Sequence, residues 1–281
     1  MSAIPQVLTI AGSDSGGGAG IQADIKTFQE LGVYSTSAIT AVTAQNTLGV
    51  DAIYPMAPEA VRSQLEAIGR DFQVAALKTG MLFSAEIIEE AVRSIKQFGW
   101  GRVVVDPVMI AKGGAALLQR EAAEAIKEHL LPLATVVTPN IPEAEALCGM
   151  AITDGASRRK AAEKILSFGA ESVVIKGGHG ADPHIAEDFY LHCSGESFIF
   201  RSVRIDTTQT HGTGCTFAAA VAAELAKGKA AKEAIHVAKQ FIQAALSESL
   251  HIGAGHGPTN HAAYKAGMQQ GGRRNGIEIL G

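Results

Sequence analysis

The stretch LTIAGSDSGGGAGIQADIKTFQELG, residues 8–32, passes from an apolar segment through a glycine-rich turn into a helix-patterned segment. Its spacing predicts a strand over Val7–Ala11 and a helix over Ala19–Leu31. In the helix, Ile21, Ile25, Phe28 and Leu31 recur at three- and four-residue intervals, the stripe of a helix lying on a sheet. The same alternation continues along the chain. Strands are expected over Ser37–Ala44, Ala75–Thr79, Val103–Asp106, Thr135–Thr138 and Ser172–Lys176, with helices between and after them over Glu59–Asp71, Ala85–Phe98, Arg120–Leu130, Glu143–Cys148, Arg158–Phe168, Gly214–Lys227 and Ala231–Ser249. Val103–Val105 and Val173–Ile175 are apolar at every position, as strands are when helices cover both faces of a parallel sheet. The expected fold is therefore α/β, a three-layer α/β/α sandwich with a mostly parallel central sheet. Asp188–His192 and Ser197–Val203, joined across Ser194-Gly195-Glu196, read as a hairpin at the sheet's edge. A single domain is expected over residues 1–265, followed by a weakly patterned, mobile tail over 266–281.

Composition narrows the function classes. With 47% hydrophobic and 19% charged residues, the 281-residue chain can bury a large core and does not read as disordered. A net charge of -4 and 5% aromatics argue against nucleic-acid binding, which uses basic surfaces and stacking rings. The three cysteines (Cys148, Cys193, Cys215) are far apart and form no CxxC pair, so neither a disulfide framework nor a structural zinc site is expected. Residues 1–7 have no basic-then-apolar signal pattern, and no apolar run reaches membrane-spanning length. The expectation is a cytoplasmic protein without a membrane partner. The unusual number is 31 glycines. Such a surplus means either flexible linkers or tight functional loops, and much of it falls in loops that follow strands, where open α/β sheets bind ligands.

The first of these loops, Gly12–Gly20, is neither a dinucleotide fingerprint, because the spacing is not GxGxxG, nor a Walker A loop, because no GK[ST] follows. A tight turn capped by Ser or Asp is the plain alternative. At Thr138-Pro139-Asn140-Ile141-Pro142-Glu143, Asn140 and Glu143 have capping-box spacing. The same amide and carboxylate at a sheet's carboxyl edge can also organise Mg²⁺ around a phosphate, since Mg²⁺ needs only one or two carboxylates besides water and phosphate oxygens. The segment Thr210-His211-Gly212-Thr213-Gly214-Cys215-Thr216 opens an alanine-rich helix and aims backbone N–H groups at one point, a suitable cradle for a transferring phosphoryl group. Cys215 falls in that helix's first turn, where a thiol's pKa tends to fall. Asp106 and Lys176 each end a buried strand, and a lysine there can reach nucleotide phosphates. His251, His256 and His261 recur every five residues, a period that shares no helical face, and they do not read as a metal site.

These stretches together resemble the bacterial hydroxymethylpyrimidine/phosphomethylpyrimidine kinases of the ribokinase-like superfamily. Besides residues 8–32, the resemblance rests on ITAVTAQNTLGV (39–50), KTGML (78–82), VVVDPVM (103–109), TPNIPEAE (138–145), VIKGGH (174–179), HGTGCT (211–216) and GHGPTNH (255–261). It implies ATP-dependent phosphorylation of 4-amino-5-hydroxymethyl-2-methylpyrimidine to its monophosphate and then to its diphosphate, in thiamine biosynthesis. It also implies site roles. Gln45 would read the pyrimidine edge, with Gly12, Asp24, Met81 and Val108 completing the pocket. Lys176, Thr213, Asn140 and Asp106 would face ATP, and Glu143 would hold Mg²⁺ with phosphate and water. Gly212, Thr213, Gly214 and Cys215 would form the catalytic anion hole. Many sugar kinases of the superfamily carry an aspartate base where this chain has Cys215, so a thiolate would take the proton of the attacking hydroxyl. A homodimer is expected from the same resemblance. Competing readings are a pyridoxal/pyridoxine kinase on the same fold, a non-catalytic ligand-binding protein, and a dinucleotide dehydrogenase, which the missing fingerprint disfavours.

Overall fold

The computed structural model describes residues 4–109, 120–180, 182–269 and 276–281. The chain runs β1 (Gln6–Asp14), α1 (Gly20–Glu30), β2 (Tyr34–Gln45), β3 (Val50–Pro55), α2 (Pro58–Asp71), β4 (Val74–Thr79), α3 (Ala85–Phe98), β5 (Val103–Val105) and α4 (Arg120–Ala125). It continues β6 (Val136–Val137), α5 (Ile141–Cys148), α6 (Gly155–Leu166), β7 (Ser172–Ile175), β8 (Ile185–His192), β9 (Ser197–Val203), α7 (Thr213–Ala226), α8 (Ala231–Ser247), α9 (Ala263–Gln269) and β10 (Glu278–Leu280). One sheet has the order β10-β9-β8-β7-β6-β5-β4-β1-β2-β3. The six strands from β7 to β2 are parallel, and β3 at one end and β8, β9 and β10 at the other are antiparallel.

The apolar runs sort by strand alternation. Leu8, Ile10, Leu77, Val103, Val105, Val173 and Ile175 face a core with α2, α3, α5 and α6. Their neighbours Val7, Ala76, Val104, Val136 and Val174 face a second core, under α1, α7 and α8. Helix α7 is buried almost all round, and its small side chains (Ala218, Ala219, Ala220, Ala222, Ala223) let it fit between the sheet and its helical neighbours. That placement carries its first turn to the carboxyl edge of the sheet, beside the point where the strand order reverses around β1.

Three expectations differ from this structure. Ile25 is 37% exposed, while Asp24 is fully buried and takes the inward place. The helix therefore lies on the sheet through Ile21, Asp24 and Phe28, and the carboxylate is accommodated by an ion pair described below. The edge strand β3 was not expected, since its exposed pattern lacks a clean apolar alternation. The tail expected to be mobile from 266 instead forms the end of α9 and, over 278–280, a strand paired antiparallel with β9; residues 270–275 lie outside the described residues. Among the described residues no helix is long and apolar enough to cross a membrane.

Candidate active site

Every parallel strand ends on the same cavity of about 820 Å³. Asp14 closes β1, Gln45 closes β2, and Lys78 stands near the end of β4. Asp106 follows β5, Asn140 follows β6 and Lys176 follows β7. The cavity runs along this carboxyl edge and brings together Gly12, Gln45, Met81 and Val108 with Asp106, Asn140, Glu143, Lys176 and the turn Gly212–Cys215. Met81 and Val108 pack against one another's surroundings in a small apolar cluster with Ala41.

Asp24 does not join them. It lies behind the wall, fully buried, where Oδ1 and Oδ2 accept from Lys78 Nζ at 3.1 and 3.0 Å and Oδ2 accepts from Thr9 Oγ1 at 2.6 Å. A carboxylate so engaged offers nothing to a ligand in the cavity, so its expected place in the pyrimidine pocket is not supported. Burial pushes its pKa up against the opposing pull of Lys78.

At the phosphate side, Lys176 Nζ donates to Asp106 Oδ1 at 3.1 Å, and Thr138 Oγ1 reaches the same oxygen at 3.3 Å. Asp106 Oδ2 is buried and has no hydrogen-bond partner. Gly214 lies against this pair: a β-carbon there would stand 3.3 Å from Lys176 Nζ and 3.9 Å from Asp106 Oδ2. Asn140 and Glu143 do form the capping box, with Glu143 N–H donating to Asn140 Oδ1 and Asn140 N–H to Glu143 Oε2, both at 2.8 Å. Both also line the cavity, so the capping role leaves them at its surface. Burial, with Asp106 adding to it and Lys176 opposing, pushes the Glu143 carboxyl up to about 7.

The residues after Lys176 are held from outside. Gly177 N–H donates to Asp188 Oδ1 at 2.8 Å, and Asp188 Oδ2 takes a 2.7 Å bond from Lys239. Arg204 donates to the carbonyls of Gly178, Gly180, Asp182 and Ile185 at 2.6–3.2 Å. Sequence reasoning missed Asp188, Arg204 and Lys239, and with them the apolar stretch of wall from Val203, Ile205, Ile242 and Leu246. Those four positions come from two separate segments, the end of β9 and helix α8, and no local spacing connects the two.

The two glycine-rich loops meet. Gly212, at φ +81°, precedes α7, and a β-carbon on it would stand 1.7 Å from Gly18 O, so only glycine fits. The first turn of α7 leaves the N–H groups of Gly214 and Cys215 without intrahelical acceptors. The Thr213 hydroxyl proton is committed to Thr210 O at 2.7 Å. Cys215 departs from expectation. Burial, reinforced by Asp106 and Asp24 and opposed by Lys78, pushes its thiol up to about 11. The helix N-terminus does not overcome that, and the group is held as a thiol at neutral pH. Among the described residues no group of three or more His, Cys, Asp or Glu is arranged to hold a metal.

Comparison with known proteins decides the family. The phosphomethylpyrimidine kinase family model matches residues 14–260. The chain belongs to that family. It is 57% identical over 266 residues to the hydroxymethylpyrimidine/phosphomethylpyrimidine kinase of Haemophilus influenzae, covering 94% of this chain and 99% of the other. It is 46% identical to a pyridoxine kinase of Bacillus subtilis, with 94% and 98% covered. Among solved structures, the pyridoxal kinase of Staphylococcus aureus in complex with AMP-PCP and pyridoxal superposes with a TM-score of 0.88 at 37% identity, covering 99% of this chain and 98% of that one. The family's fold is the ribokinase-like α/β sandwich observed here, and its members' kinase activity accounts for a cavity large enough for a nucleotide and a small acceptor together.

Proposed function

We propose that this kinase transfers the γ-phosphoryl group of ATP to the hydroxymethyl group of 4-amino-5-hydroxymethyl-2-methylpyrimidine, and then phosphorylates the resulting monophosphate to the diphosphate, as a step of thiamine biosynthesis. The observation that carries the reading is the meeting of Gln45, Met81 and Val108 with Lys176, Asp106 and the Gly212–Cys215 turn around one cavity. Gln45 offers the donor and acceptor that an aminopyrimidine edge needs. The wall of Val203, Ile205, Ile242 and Leu246 suits the apolar faces of an adenine ring.

Phosphoryl transfer through a loose transition state asks the protein mainly to position reactants and to stabilise charge on the transferring group. The N–H groups of Gly214 and Cys215 and the Lys176 ammonium are the donors for that charge. Lys176 stays protonated, because the charges of Asp106 and Glu143 more than offset its burial. The unpartnered Asp106 Oδ2, near the Glu143 carboxylate, provides hard oxygen donors that fit Mg²⁺. Asp106 and Glu143 would hold the ion with phosphate oxygens and water, and when bound it neutralises phosphate charge. The raised thiol of Cys215 speaks against a waiting thiolate base, and in a loose transition state the attacking hydroxyl keeps its proton late. The monophosphate, attacking with an ionised oxygen, needs no base at all.

The kinase is further proposed to act in the cytoplasm, where its three free cysteines stay reduced, and as a homodimer. The exposed Val42–Tyr54 pair beside the open edge of β3 supports the latter, and sedimentation at working concentration tests it. An ATP-consumption assay with the pyrimidine alcohol, its monophosphate and pyridoxal tests the activity. Turnover of both pyrimidines is expected, with pyridoxal slower; turnover of pyridoxal alone would replace the reading with a pyridoxal kinase.

A further inference from the structure

The Asp14 carboxylate is surrounded by donors. Oδ1 accepts from Gly16 N–H at 2.8 Å, while Oδ2 accepts from Gly18 N–H at 3.0 Å, Ala19 N–H at 2.8 Å and His211 Nε2 at 2.8 Å. Burial alone would raise its pKa; the His211 contact and the backbone donors outweigh that and hold it below the ordinary value. A ring nitrogen this close to an ionised carboxylate carries a proton, so His211 Nε2 is a donor.

The Gln45 amide lies between His211 and Thr43, with Nε2 3.3 Å from His211 Nε2 and Oε1 3.1 Å from Thr43 Oγ1. Both neighbours favour the amide turned by half a rotation. An amide N–H₂ against His211 sets donor against donor. Thr43 has one hydroxyl proton, which points at Ser13 O 2.9 Å away and leaves Oγ1 as an acceptor. Turned, the amide oxygen becomes a second, longer acceptor for the His211 Nε2–H that Asp14 Oδ2 takes at 2.8 Å, and an amide N–H goes to Thr43 Oγ1, so neither contact sets like against like.

We propose that Asp14 and His211 are positioning residues for the acceptor ring: they hold the Gln45 amide with its oxygen towards His211 and its nitrogen towards Thr43. The remaining lone pair and N–H then meet the ring in one sense only, with an exocyclic amino group on the His211 side and a ring nitrogen on the Thr43 side. This rests on the reading of Gln45 as the residue that recognises the pyrimidine.

Steady-state kinetics on four variants separate the two ideas. Gln45→Ala tests the reading; if it leaves the KM for the pyrimidine alcohol unchanged, reading and inference fall together. His211→Asn, whose side chain is too short to place a donor at the Nε2 position, should raise that KM about tenfold, the worth of one aligned hydrogen bond, with the KM for ATP within about twofold. His211→Gln, whose Nε2 can stand where the ring Nε2 stood, should restore it. Asp14→Asn should repeat the His211→Asn pattern; if it does not fold, the two His211 variants decide alone. A Gln45→Ala effect with a wild-type His211→Asn overturns the inference and spares the reading. Equal rises in both KM values, unrelieved in His211→Gln, mean a structural role only and also overturn it. In the NMR spectrum, nuclear Overhauser contacts from the Gln45 side-chain N–H₂ to the Thr43 methyl are expected, and contacts to the His211 ring instead would refute the orientation.

Discussion

The loops at Gly12–Gly20 and at His211–Cys215 look alike in sequence and do opposite things. In the first, the N–H groups of Gly16, Gly18 and Ala19 all turn inward to the Asp14 side chain, and that of Gly17 goes to Asp14 O. Nothing in that run of amides is left to hold a phosphate. In the second, the helix begins within the turn, so the N–H groups of Gly214 and Cys215 have no intrahelical acceptor, and both residues line the cavity. A glycine-rich loop is a phosphate cradle only if no side chain of its own has already taken its donors. The glycine surplus that suggested ligand-facing backbone is thus divided: part of it wraps a carboxylate, and a smaller part opens α7 at the cavity.

The largest effect that would break this contrast is at Gly212. Gly212→Ala forces a β-carbon onto Gly18 O at a positive φ and should abolish both phosphorylations, at least a thousandfold in kcat/KM, or ~4 kcal/mol of lost transition-state stabilisation. Measured turnover within tenfold of the parent would show that the turn tolerates displacement. Next comes Glu143→Gln, expected to lower kcat by about a hundredfold or more, on the scale of removing one charge-stabilising group. The same variant should melt higher than the parent at pH 8. Burial raises the folded pKa of Glu143 to about 7 from an ordinary 4.5, so folding takes up a proton between these values. The cost of keeping the carboxylate ionised is therefore absent at low pH and complete above about 7, and the gain in Tm should shrink towards pH 5. A gain independent of pH would contradict this assignment.

A smaller effect is expected in the pH profile. Binding of Mg²⁺ and nucleotide favours ionised Glu143, so kcat/KM for ATP should fall with unit slope as pH drops below about 7. A flat profile down to pH 5 would remove Glu143 from the metal-binding set. Cys215→Ala should lower alcohol and monophosphate phosphorylation alike, by roughly tenfold or less, since a protonated thiol offers neither acceptor a base and the side chain only shapes the turn. A loss confined to the alcohol would reinstate the thiolate as general base. Smallest of all is Gly17→Ala, where φ is +73° but the new methyl meets only Lys26 Nζ at 3.5 Å. It should cost on the order of 1 kcal/mol in stability with kcat preserved. A collapse of activity there would give the first loop a direct part in the chemistry.

The layered fold was legible because its signals are local: valine runs buried on both faces, and helices punctuated by caps such as Ser84 before α3 and the Asn140–Glu143 box. The cavity lining was legible wherever a polar residue stands at a strand end, as at Gln45, Asp106, Asn140 and Lys176. What stayed hidden depends on distant partners. Asp24 looked available because Lys78, 54 residues on, could not be seen to claim it. Cys215 looked acidic because its position at a helix start is local, whereas its burial and the nearby carboxylates are not. Strand β10 was hidden because its three residues are ordered by pairing with β9, not by any pattern of their own.

The contact of Asp14 with His211 joins residues 197 positions apart, and the Gly18–Gly212 contact spans nearly as much. Neither half of the site can therefore be made by a growing chain until α7 has been synthesised and packed. Loop closure over that separation is slow and entropically unfavourable, so the catalytic centre is among the last parts of the molecule to form. In the proposed reading the pyrimidine at Gln45 and the transferring phosphoryl group at the Gly212–Cys215 turn would meet at this seam. Each therefore acts as a folding ligand, drawing the population towards the complete molecule in proportion to its concentration. A cell with ample pyrimidine and ATP would for this reason hold more of the enzyme in its finished form.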